Sequence, residues 1–124
     1  MYKTFIAAAA LSGALAVAIG AFGAHALAPK LEAAGRMDTF ETAVKYQFYH
    51  TLALLFIGLI ATKTPPSALL WSGWLMIAGI IIFSGSLYIL CLSGQRWLGA
   101  ITPIGGTAFI AAWVLLLVHA LKQS

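Results

Sequence analysis

The sequence predicts an all-α integral membrane protein, a four-transmembrane-helix bundle with a short interfacial helix between spans one and two. Of its 124 residues, 62% are hydrophobic and only 8% are charged, whereas about 25% of the residues in a soluble domain are charged. The charged residues leave four long gaps, at 4–29, 46–62, 64–95 and 97–121. A bilayer core of roughly 30 Å needs about 20 helical residues, so each gap accommodates one span, and residues before Lys45 complete the second.

The first span is predicted over residues 4–27. Small residues recur at every fourth position along one of its faces: Ala8, Ser12, Ala16, Gly20 and Ala24. Such a face favours close helix packing, because in lipid the association of helices depends on packing contacts. Ala26-Leu27-Ala28 matches a signal-peptidase pattern, but the apolar run is longer than a usual leader and Pro29 follows the small residues. We therefore expect the segment to remain as a membrane anchor.

A short interfacial helix is predicted over residues 29–35, because proline suits the first turn of a helix and glycine its end. The second span, over 40–61, follows a capping-box pattern. In that pattern Asp38 or Thr39 caps the helix and Glu41 reaches back to the free amides.

The third span, over 68–92, follows a proline-rich turn at 63–67. Two tryptophans near its start lie where an aromatic belt holds a helix end at the headgroups. Thr102 followed by Pro103 predicts an N-cap and a first helical residue for the fourth span, over 103–121. The four spans use nearly the whole chain, which indicates a single membrane domain.

Seven polar side chains in or directly beside the predicted spans are candidates for a polar layer or for ligand contact: His25, Tyr46, Gln47, His50, Ser84, Tyr88 and Thr102. They gather toward the outer leaflet if both chain ends are cytoplasmic. Polar groups inside a membrane are costly unless paired, and they often mark function. Two interpretations stay open: an outward-facing pocket for a lipid headgroup or quinone-like molecule, or a hydrogen-bonded layer that fixes helix register. Gly105 and Gly106, early in the fourth span, are predicted to allow close helix packing.

No catalytic residue and no cofactor is predicted. His25 and His50 would fall on the same side of the bilayer, where two histidines could ligate haem or a metal, but the uncharged stretches of the spans contain no carboxylate to join them. The single cysteine, Cys91, excludes an intrachain disulfide. No carboxylate pair, catalytic triad or glycine-rich phosphate loop is present. Proton-coupled transport is also disfavoured, because every acidic residue lies within 32–41.

The formal charge of +4 comes from scattered basic residues, so a nucleic-acid surface is not predicted. The expected partners are membrane lipid and either a second copy of the chain or another membrane protein complex. We expect both chain ends inside, with Lys3, Lys63 and Lys122 at the cytoplasmic surface. Four basic residues would then lie outside, beside all three acidic ones.

Four motifs carry a family resemblance: Gly20-Ala-Phe-Gly-Ala-His-Ala-Leu27, Tyr46-Gln47-x-Tyr49-His50-x-Leu-Ala-Leu, Phe83-Ser-Gly-Ser-Leu-Tyr88 and Ile101-Thr-Pro-Ile-Gly-Gly106. In this order they resemble the small four-pass bacterial membrane proteins of the YgdD/YwdK type, a family of unknown function. The resemblance implies a multi-pass protein of the bacterial plasma (inner) membrane. It does not imply any particular reaction. We expect a non-enzymatic accessory or scaffold subunit that packs with itself or a membrane complex. The alternative is a binder or carrier of lipid or small hydrophobic molecules that uses the polar layer.

Overall fold

The computed structural model describes residues 1–122, and within this range all regular structure is helical. Four helical segments are long and apolar enough to cross a membrane. The predicted all-α bundle with a short helix between spans one and two is confirmed. The elements are α1 (Lys3–Ala24), α2 (Ala28–Ala33), α3 (Met37–Ile60), α4 (Ser67–Gly79), a π-helical segment (Ile80–Ser84), α5 (Gly85–Ser93), a 3-10 segment (Arg96–Ala100) and α6 (Thr102–Lys122).

The four spans alternate in direction, so the bundle has two distinct ends. The lysine end carries Lys3, Lys63 and Lys122, and the connector end carries residues 25–36 and 94–101. At the lysine end the backbone N–H of Tyr2 donates to the carbonyl of Gly58 over 2.8 Å, which ties the start of α1 to the end of α3.

Small residues of α1 allow α3 to approach closely. Three residues of the predicted stripe lie on this interface: Ser12, Ala16 and Gly20. Ala24, in contrast, is exposed. Gly23 lies on the interface instead, since a Cβ there would overlap the ring of Phe40. The small face of α1 is therefore largely occupied within the chain.

The π-helical segment packs directly against the start of α6. A Cβ at Gly105 would overlap the backbone nitrogen of Phe83, whereas a Cβ at Gly106 would meet only the Phe83 ring, at 3.8 Å. One helical turn further along α6, Phe109 fills the space that the missing side chain of Gly79 leaves open. Of the two adjacent glycines, only Gly105 permits a backbone contact between spans.

The start of α3 differs from the predicted capping box. Arg36 is the N-cap residue, with no side-chain cap, and Asp38 already lies inside the helix. The reason lies in the preceding turn, where Gly35 has a φ of +68° and the Arg36 N–H donates to the carbonyl of Leu31. This left-handed glycine ends α2 and starts the next helix before Asp38 is reached.

Candidate functional site

Four polar side chains form a hydrogen-bonded group that we call the mid-bundle network: Ser12, Gln47, Thr51 and Tyr88. The Gln47 amide donates to the Ser12 carbonyl over 2.9 Å and to the Ser12 hydroxyl over 3.3 Å. The Tyr88 hydroxyl donates to the Gln47 side-chain oxygen over 2.6 Å, and the Ser12 and Thr51 hydroxyls are 2.7 Å apart. The network thus joins α1, α3 and α5 through a glutamine that is only 4% exposed.

His50 lies in an aromatic cluster between α3 and α6. Its Nδ1 is 2.7 Å from the Tyr46 carbonyl, and the Trp113 indole N–H donates to its Nε2 over 3.0 Å. Because a carbonyl only accepts and an indole only donates, these two contacts select the neutral tautomer with hydrogen on Nδ1. The ring also stacks on Phe109, with centroids 3.5 Å apart. Both nitrogens are occupied, so neither is free to ligate a metal.

The remaining candidates serve other contacts between helices. The Ser84 hydroxyl donates to the Ala43 carbonyl over 2.7 Å. Thr102 does not act as the predicted N-cap. Its hydroxyl lies 2.6 Å from that of Ser86 and bonds to the Leu98 carbonyl, because the helix already begins at this residue. Tyr46 is 40% exposed and stacks on the ring of Phe83.

The mid-bundle network and His50 lie deeper than the predicted outer-leaflet layer. Gln47 and His50 fall at the middle of α3, and Ser12 falls near the middle of α1. His25 is separated from them: Gly13 lies opposite Thr51, so His25 is about 18 Å further along the α1 axis. It is exposed at the connector end. The structure therefore does not bring the two histidines together, and no cluster of three or more metal-ligating side chains occurs within residues 1–122.

Several partners in these contacts are not among the sequence candidates. Thr51 and Trp113 complete the hydrogen bonds described above, and Ser72 donates to the Ala112 carbonyl over 2.7 Å. The mid-span position of Trp113, away from either aromatic belt, is the one sequence signal that could have pointed to a polar partner. Throughout residues 1–122, every buried side-chain nitrogen and oxygen has a hydrogen-bond partner. The polar interior is therefore satisfied within the chain.

A lateral groove lies between α1 and the α4–α5 span, with α3 as its floor. The mid-bundle cavity of this groove has a volume of about 190 Å³ and is lined by Ala8, Leu11, Ser12, Leu15, Gln47, Leu54, Ile77, Ile80 and Ile81. The connector-end cavity has a volume of about 430 Å³ and is lined by Ala18, Ile19, Phe22, Leu27, Phe40, Tyr88 and Leu92. Between the two cavities, Tyr88 bonds to Gln47.

The groove exists because α1 meets α4 only at the lysine end. There the Phe5 ring is fully buried and occupies the space beside Gly73, and its centroid lies 5.4 Å from that of Trp74. Further along, α1 follows α3 through its small residues and does not pack continuously on α5. The result is an apolar cleft that is open to the surrounding hydrocarbon.

Comparison with known proteins identifies the family. A model described as "Protein of unknown function (DUF423)" matches residues 19–106. A UPF0382 membrane protein of Staphylococcus epidermidis is 51% identical over 120 residues, which are 97% of each chain. The UPF0382 membrane protein YwdK of Bacillus subtilis is 45% identical over 121 residues, covering 97% of this chain and 98% of the relative. No solved structure shows significant similarity. The chain therefore belongs to the DUF423 family of membrane proteins, whose function is unknown.

Proposed function

We propose that the protein is a non-enzymatic membrane protein that binds a lipid or another small hydrophobic molecule in its lateral groove. The observation that carries the proposal is the contrast between an interior whose buried polar groups are paired with one another and an apolar groove that stays open. The binding surface is then the groove and not the imidazoles of the predicted polar layer. His25 lines neither cavity of the groove, and both nitrogens of His50 are occupied.

The walls of the groove are held in place without a ligand. The Tyr2 to Gly58 bond fixes α1 on α3 at the lysine end, and the Gln47 contacts fix α1, α3 and α5 at the middle. A preformed site reduces the ordering cost of binding. Because a membrane ligand comes from hydrocarbon, it gains little from the hydrophobic effect and is selected by the fit of its packing contacts. A lateral opening gives such a ligand direct access from the bilayer.

The second candidate is an accessory or scaffold subunit of a membrane complex or homo-oligomer. Glu41 and Lys45 are exposed on α3 beside a cleft of about 370 Å³ on the opposite side of α1. Charged side chains on a membrane helix are costly and commonly face a partner or snorkel toward water. Copurification in mild detergent separates the candidates, since a stoichiometric protein favours the subunit and a retained lipid favours the binder.

Filling the groove tests the binding function. Ala18 is exposed and lines the connector-end cavity, so Ala18→Trp should occupy the space of a bound chain without disturbing the core. We expect the amount of copurified lipid, measured by native mass spectrometry, to fall about fivefold or more, a loss of roughly 1 kcal/mol in binding. Val17→Trp is the matched control, because Val17 is also exposed but points about 100° away around the helix. Equal lipid retention in both variants would contradict the proposal.

We further propose a bacterial plasma-membrane location with both chain ends in the cytoplasm. The support is that Lys3, Lys63 and Lys122, the basic residues of the lysine end, all lie in the short segments that flank the helix ends. Basic residues in short segments favour the cytoplasmic side. A green fluorescent protein fused to the C-terminus should fluoresce, whereas alkaline phosphatase at the same position should be inactive. The reverse pattern would contradict this orientation.

A further inference from the structure

We infer that the connector-end cavity binds an acyl chain of an anionic phospholipid whose phosphate is held by the guanidinium of Arg36. The inference rests on the proposed function and adds the chemical class of the ligand. The cavity is the larger of the two in the groove, and its lining is formed by apolar side chains and the Tyr88 ring. An acyl chain from the adjoining leaflet can enter it sideways, with its headgroup at the connector end.

Arg36 lies at the point where that headgroup would sit. Its terminal guanidinium nitrogens are 3.5 and 3.7 Å from the position of a Cβ on Gly94, just beyond the end of α5. Leu92, two residues earlier, lines the cavity. The backbone of Arg36 is fixed on this helix as well, because the Cys91 thiol donates to its carbonyl over 3.8 Å. The guanidinium therefore lies beside the end of α5, the helix that contributes Tyr88 and Leu92 to the cavity lining.

The hydrogen-bonding capacity of this side chain is available to a ligand. Arg36 is partly buried, and its backbone takes part in hydrogen bonds with Leu31, Phe40 and Cys91. Within residues 1–122 its guanidinium donates no hydrogen bond to the protein. A guanidinium presents five N–H donors in a planar fork that matches two phosphate oxygens at once. A zwitterionic lipid also carries a phosphate, but its own cation offsets the attraction.

The charged residues of the connector end differ in how well they could bind a phosphate. Lys30 and Arg96 lie at the same end, and Glu32 and Asp38 partly offset them. Arg96 is exposed in the 3-10 segment, where water and salt screen its charge. Arg36 differs from these groups because it is partly buried beside the cavity. If Arg36 interacted only with the negative end of the α5 dipole, replacing it would change the stability of the protein but not its preference among lipids.

A lipid titration tests the inference. The protein in a mild neutral detergent is titrated with dioleoyl phosphatidylglycerol and, separately, with dioleoyl phosphatidylcholine, and single-lipid adducts are counted by native mass spectrometry. We expect the anionic lipid to bind about fivefold more tightly to the wild type. Arg36→Gln should abolish that preference, and Arg36→Lys should retain part of it because the charge remains without the planar fork. Arg96→Gln is the matched control and should bind both lipids as the wild type does.

The outcomes distinguish a failure of phosphate recognition by Arg36 from a failure of lipid binding in the groove. If the wild type binds both lipids equally, or if Arg96→Gln lowers the preference as much as Arg36→Gln does, recognition by Arg36 is overturned while lipid binding in the groove stands. If Ala18→Trp binds both lipids as well as the wild type, the groove itself is not the site and the proposed function fails. If Arg36→Gln does not fold, Arg36→Lys decides the question. A preference for the anionic lipid as strong as that of the wild type, at wild-type affinity, overturns the bidentate contact, whereas a weaker preference supports it.

Discussion

Replacing Gly105 with alanine is expected to destabilise the protein by about 3 kcal/mol, near the upper end of the usual cost of overpacking a core. The new methyl group would overlap the backbone nitrogen of Phe83 and lie 2.7 Å from its Cα. A flexible side chain could rotate away, but a helix backbone inside the bundle cannot. Relief therefore requires α6 and the π-helical segment to separate. Unfolding by sodium dodecyl sulfate in mixed micelles, followed by circular dichroism, measures the change in the free energy of unfolding.

The neighbouring glycine provides the control for this prediction. A Cβ at Gly106 would meet only the Phe83 ring, at 3.8 Å, which is an ordinary van der Waals contact. Gly106→Ala should therefore change the free energy of unfolding by no more than about 0.5 kcal/mol. The two variants make the same substitution at adjacent positions of the same helix. Equal stability of the two would show that α6 and the π-helical segment are not in backbone contact.

Replacing Gln47 with leucine is expected to cost about 2 kcal/mol. The side chain makes two hydrogen bonds to Ser12 and accepts one from Tyr88, and hydrogen bonds between membrane helices average about 0.6 kcal/mol each. Leucine has a similar size, so the loss reports mainly on polar contacts. The same unfolding measurement applies, and Tyr88→Phe, which removes one bond, should cost about one third as much. A Gln47→Leu protein as stable as the wild type would contradict a structural role for the network.

The sequence is informative about which segments leave water. The gaps between charged residues predict four spans because an unpaired charge is costly in hydrocarbon, and this holds whatever the helices pack against. The structure has four such helices. Helix ends are less predictable. Asp38 and Thr102 both have capping chemistry, yet neither is an N-cap: Thr102 is the first residue of α6 and Asp38 is the second residue of α3. In both cases contacts made by the preceding segment set the start.

The sequence predicts less well which side of each helix faces the interior of the bundle. In water an apolar stripe marks the buried side, but in lipid the outward side is apolar as well, so hydrophobic periodicity loses its meaning. Exposed Leu11 and Val17 and buried Phe5 and Ala9 all lie on α1. Only small residues and polar residues mark an interface, and Ser12, Ala16 and Gly20 are found there. The small residue Ala24 is exposed, so small size alone does not place a residue on the interface. The groove and the π-helical segment leave no such mark in the sequence.

The antiparallel pairing also bears on how the chain is assembled during synthesis. The two most extensive helix contacts join α1 with α3 and α4 with α6, so each pair comes from one continuous half of the polypeptide. Each half can enter the bilayer as a hairpin and pack its own backbones before the other half arrives. Contacts that are local along the chain shorten the search for native partners. The interface between the two halves, with α1 and α3 on one side and α4 to α6 on the other, is then the last part to form. The lateral groove lies along this interface.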